Sequence, residues 1–245
     1  MVAAVFFPPA LWGYIERWML SDVVSSTKDV LVGTLFHHLG WSFEREIETF
    51  DVEPWRDAYL VPRHASRVTF EDRISGPAHG ARFDSVEAHF ENQSRNGYYT
   101  IFLGQLIWLT FDKPLGMGKT IVLRDKGLFN RKTKAGMKRV GLVDPVFESL
   151  FEAYSTDQVG ARVVLDPAFM QRMIDLEHAL DGRNIRYAFE GNRMLIAVET
   201  EDLYEAGCMD TALDDPARAQ RILDEVGAAF DIVDHLASRD MRRIS

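Results

Sequence analysis

The sequence predicts an α+β fold: N-terminal helices, an antiparallel β-sheet, then helices flanking a C-terminal β-hairpin. Three observations carry this. Apolar residues recur at helical spacing over the first forty positions, and through the middle third they alternate with polar ones. They return to helical spacing after each of three Asp-Pro pairs. The division reads as a helical segment over 1–40 and an α+β domain over 41–245. With 47% hydrophobic and 27% charged residues, the chain is neither disordered nor a disulfide scaffold.

Residues 2–15 are apolar apart from the Pro8-Pro9 interruption. They lack the basic flank and cleavage site of a secretory signal, and they are too short to span a bilayer as one helix. Two readings stand for 1–40. One is a docking helix that sets Leu11, Trp12, Ile15 and Met19 on the core. The other is the lower end of a truncated membrane anchor, with Trp12, Tyr14 and Trp18 in the interfacial belt. A second helix is expected over 22–39, stopped by Gly40.

Strand alternation follows over 41–46, 67–74 and 82–91, with Gly76-Pro77 and Gly80 as a turn. The aromatic and β-branched run 98–111 reads as a buried strand kinked near Gly104, and 120–123 as a further short strand. Asp144-Pro145, Asp166-Pro167 and Asp215-Pro216 each pair a capping carboxylate with the residue best suited to the first helical position. Between the second and third of these helices, 185–189 and 194–198 flank Glu190-Gly191-Asn192-Arg193, a hairpin signature.

Several segments invite chemical readings. Gly116-Met117-Gly118-Lys119-Thr120 resembles a phosphate loop, but Lys113 stands where the first glycine is required and a strand follows instead of a helix. A turn into a strand explains it better. Glu87, His89 and Glu91 alternate along one strand, so they share a face, either as a divalent-metal or acid–base group or as a solvated surface. No nucleophile elbow is present, and the single cysteine, Cys208, has no base partner in sequence. No catalytic residue, metal site or cofactor is assigned.

Between Arg124 and Arg139 lie seven basic residues and one acid; Arg131, Lys132, Lys134, Lys138 and Arg139 form the candidate contact for an anionic surface. The net charge of −9 argues against a general nucleic-acid binder.

The run Asp144-Pro-Val-Phe-Glu-Ser-Leu-Phe-Glu-Ala-Tyr-Ser-Thr-Asp157-Gln158 continues through Val-Gly-Ala-Arg162 to Pro167-Ala-Phe-Met170. It resembles the signature of a bacterial family known as domain of unknown function 3137. That signature has an Asp-Pro-x-Phe opening, a Tyr-x-x-Asp-Gln-x-x-Ala-Arg core and a Pro-Ala-Phe-Met helix start. The resemblance extends over 82–236 and implies upstream hydrophobic segments, hence membrane attachment, but neither an activity nor a cofactor.

Asp144, Asp157, Gln158 and Arg162 are the candidate site. In the structural reading Asp157 accepts backbone amides at a turn entering a strand, and Arg162, among apolar neighbours, is buried against Asp157 or Asp144. In the functional reading Arg162 holds an anionic ligand. The leading expectation is a non-catalytic interaction module on the cytoplasmic side of a bacterial membrane, meeting an anionic membrane surface or a protein partner. The alternative is a hydrolase or anionic-ligand-binding protein using the Asp157/Arg162 region.

Overall fold

The computed structural model describes residues 40–78, 80–124, 136–179 and 184–199. Among them one nine-stranded antiparallel sheet dominates, accompanied by four short helices. The strands are β1 (Ser42–Glu46), β2 (Arg67–Ala78), β3 (Ala81–Ser94), β4 (Gly97–Phe111), β5 (Thr120–Arg124), β6 (Lys138–Val140), β7 (Phe151–Ser155), β8 (Arg186–Glu190) and β9 (Arg193–Glu199). The helices are α1 (Glu53–Asp57), α2 (Pro145–Leu150), α3 (Gln158–Val164) and α4 (Pro167–Ala179). This corrects the expected α+β succession of N-terminal helices, sheet, then helices flanking a hairpin. The helices expected within 1–40 and after Pro216 lie outside the described residues.

The sheet order is β1-β2-β3-β4-β9-β8-β5-β7-β6. The first four strands lie side by side in chain order; β2, β3 and β4 are consecutive hairpins, whereas the 47–66 segment joins β1 to β2. The β8–β9 hairpin then enters between β4 and β5, with Ile107 opposite Ile196 and Val122 opposite Tyr187. The hairpin expected from Glu190 to Arg193 is therefore present, but it is a central element of the sheet. Its strands are almost wholly buried, as strands covered on both faces must be.

Alternation divides the apolar residues between the two faces. Phe83, Ile107, Leu109, Val122, Met194 and Ile196 belong to one core, which α2–α4 cover with Phe147, Val164, Phe169, Met170 and Met173. Val86, Phe90, Leu106, Ile121, Leu195 and Ala197 belong to the other, covered by Val52, Trp55, Leu60 and Val61 from the 47–66 segment. Trp55 is fully buried and donates its indole N–H to the Ile196 carbonyl at 3.1 Å.

Three expectations for local structure are revised. The apolar residues after Pro145 form a helix of only six residues, because Phe151 already begins β7, paired with β5 and β6. Residues 158–164 are helical instead of a turn entering a strand. The irregularity in β4 falls at Ile101, opposite the Phe90/Glu91 step, while Gly104 keeps Ala88 as its partner and has a φ of +152°.

Candidate functional site

The signature segment runs from α2 through β7 and α3 into α4, along the β6 end of the sheet. Its aspartates serve as helix caps. The Asp144 carboxylate accepts the Val146 and Phe147 amides at 2.9 and 3.0 Å. Asp157 accepts those of Val159 and Gly160 at 3.1 and 3.0 Å, and Asp166 that of Phe169 at 2.9 Å. Each satisfies N–H groups that the helix leaves without an internal partner.

Arg162 is exposed, which corrects its expected burial against a carboxylate. Its Nε donates to the Gly141 carbonyl at 3.1 Å, and Nη2 donates to Gln158 Oε1 at 3.4 Å. Gln158 in turn donates through Nε2 to the Arg139 carbonyl at 3.2 Å. The two signature side chains, one helical turn apart, thus hold alternate backbone carbonyls, that of Arg139 in β6 and that of Gly141 just after it; among the described residues β6 is an edge strand. An uncovered edge is a template for unwanted pairing, and here a helix supplies donors to it.

The glycines of the phosphate-like loop have a packing role beside Asp157. Gly118 has a φ of +62°, and a Cβ there would stand 2.8 Å from Thr156 Oγ1 and 2.9 Å from Asp157 Cβ. A Cβ on Gly160 would lie 2.4 Å from Asp157 Oδ2 and 2.5 Å from the Gly116 carbonyl. Thr120 and Ser155, both buried, close the junction. The Thr120 hydroxyl donates to the Met117 carbonyl or to Ser155 Oγ, each at 2.8 Å. The Asp157 amide donates to Ser155 Oγ at 2.9 Å.

Glu87, His89 and Glu91 do not share a solvated face as a group. Glu87 is buried, His89 Nε2 shares a hydrogen bond of 2.8 Å with Thr100 Oγ1, and Glu91 lies 3.5 Å from Arg67 Nε. Among the described residues no group of His, Cys, Asp and Glu gathers as a metal site.

Of the basic candidates, Lys138 and Arg139 are exposed on β6, with Arg139 Nη2 3.7 Å from Glu152. Arg131, Lys132 and Lys134 lie outside the described residues. Sequence reasoning missed four exposed valines around this edge: Val143 and Val146 at the start of α2, and Val159 and Val163 on α3. The i, i+4 spacing of the last two was the available signal.

Two part-buried ion pairs tie elements together elsewhere. Glu177 of α4 meets Arg124 at the end of β5; burial nevertheless raises its carboxyl above the ordinary pKa. Arg186 joins Glu199 and the Leu60 carbonyl, tying the hairpin to the segment that covers the second face; burial lowers its pKa to about 10.

A family model described as protein of unknown function (DUF3137) matches residues 100–238, more than half of the chain. The chain belongs to this family. The match takes in most of β4, the whole α2–α4 segment and the β8–β9 hairpin, so the edge latch of Gln158 and Arg162 lies inside the family domain. No curated protein and no solved structure matches the chain. No described helix is long and apolar enough to cross a membrane.

Proposed function

We propose that this member of the DUF3137 family is a non-catalytic interaction module whose β6 edge docks on the anionic headgroups of a membrane, at its cytoplasmic face. The observation that carries the reading is the mixture of side chains along that edge. The exposed cations Lys138, Arg139 and Arg162 stand with four exposed valines, of which Val143 is 84% accessible and Val159 71%. Aliphatic side chains left in water beside cations suit an interface that is anionic outside and apolar within. Each Lys or Arg near such a surface contributes about 1 kcal/mol, and Arg131, Lys132 and Lys134 precede β6 in the chain. The carboxylates of Asp144 and Asp157 are engaged in capping, which favours this reading over the hydrolase alternative.

Co-sedimentation with vesicles tests it. The full chain should pellet with phosphatidylserine-containing vesicles at low salt and be released as ionic strength rises. Reversing Lys138 and Arg139 to glutamate should lower the retained fraction several-fold. Equal retention on neutral vesicles, or none on anionic ones, would refute the membrane assignment.

A further inference from the structure

On the second face of the sheet, away from the β6 edge, a cleft of about 610 Å³ lies between α1 and the β8–β9 turn. Its volume is within the range of small-molecule sites. Trp108 of β4 lines its floor together with Ala188 and Leu195. Asp51 and Asp57 stand at the α1 wall, Glu190 and Arg193 at the turn, and Lys119 at one end. Both cations are already engaged. Lys119 Nζ lies 3.7 Å from Glu190, and the Arg193 guanidinium sits 5.3 Å from the centre of the Trp108 ring. Asp51 and Asp57 carry no ion pair among the described residues, so the α1 wall presents net negative charge to the cleft.

We propose that this cleft binds an organic cation, an amine, guanidinium or quaternary ammonium on a short apolar stem, which displaces Arg193 from Trp108. The Arg193–Trp108 stack is the observation that points to this chemistry. The indole π-face attracts a cation, and the structure already fills it with one from the same chain. The apolar floor suits the stem, and the α1 carboxylates raise the local concentration of cations and repel anions. Arg193 is exposed as the first residue of β9 and pairs with Glu190 through its backbone, so its side chain can leave while the hairpin stays in register.

The proposal makes opposite predictions for two neighbouring substitutions. Arg193→Ala removes the resident cation and should tighten binding, whereas Asp57→Asn should weaken it. Trp108→Leu should weaken it by roughly threefold to thirtyfold, the range of a desolvated cation–π contact. Calorimetric titration of the full chain with choline, agmatine and the neutral choline isostere 3,3-dimethylbutanol reads these effects. A Gly-Arg-Gly peptide forms the final arm. Binding of choline or agmatine without the isostere supports a small-molecule cation, and binding of the peptide alone supports a protein side chain as its source. No saturable binding to any cation, equal binding of the isostere, or weaker binding by Arg193→Ala would overturn the proposal. Asp57 is exposed and carries no core packing, so its variant remains informative if Trp108→Leu fails to fold.

Discussion

The two faces of the sheet are covered by different means. One carries three helices whose starts are written in Asp144, Asp157 and Asp166, each accepting amides at the first turn. The other carries a five-residue helix and irregular chain, anchored by the single indole of Trp55. Helical cover satisfies its own backbone, whereas irregular cover borrows partners from the sheet and from side chains. Trp55 takes the Ile196 carbonyl, and Arg186 takes that of Leu60. The irregular face also leaves the Trp108 cleft beside α1.

Deleting one anchor on each face is the strongest test of this contrast. Phe169→Ala and Trp55→Ala should each cost about 3–5 kcal/mol in denaturant melts, since both side chains are fully buried. Equal losses with one cooperative transition would mean that the faces fold as a unit. A second, earlier transition confined to Trp55→Ala would mean that the 47–66 segment detaches independently.

Within the signature, the helical cover divides into a capping role and an edge role. Asp157→Ala should cost about 1–2 kcal/mol through loss of the α3 cap. Arg162→Ala should cost less than about 1 kcal/mol, because the guanidinium is exposed. Its effect should instead be faster hydrogen exchange along β6, where the Gly141 carbonyl loses its donor. A loss of several kcal/mol for Arg162→Ala would contradict the exposed edge latch.

The smallest effect expected is a pH dependence on the helical face. Burial raises the Glu177 pKa, so the fold favours the protonated acid more than the unfolded chain does. That contribution is fully present below the ordinary carboxylate pKa of about 4.3 and is lost as pH rises through the raised value. Urea melts across this window should show wild-type stability falling with pH relative to Glu177→Gln. The opposite slope would mean that attraction to Arg124 outweighs burial.

The antiparallel strands of the middle third were legible because alternation and hairpin pairing are local. Alternation around Val86, Ala88 and Phe90, with a glycine turn on either side, specifies strands that pair with their sequence neighbours. The caps at Asp144 and Asp166 were equally legible, since capping acts within one turn. Residues 151–155 and 158–164 were not. Short apolar runs satisfy helix and strand spacing alike, and the choice rests on β5 and β6 being available to pair with β7.

The sequence by itself determined that the middle third would form antiparallel strands, that Asp144 and Asp166 would start helices after it, and that 185–198 would make a hairpin. Only the tertiary structure decided that this hairpin enters between β4 and β5, that both its faces are buried, and that Arg162 reaches a backbone carbonyl instead of a carboxylate. Local patterns settle hydrogen bonds between near neighbours in the chain. Partners more distant in sequence are chosen by which edges remain unpaired and which apolar faces remain uncovered once the local elements exist.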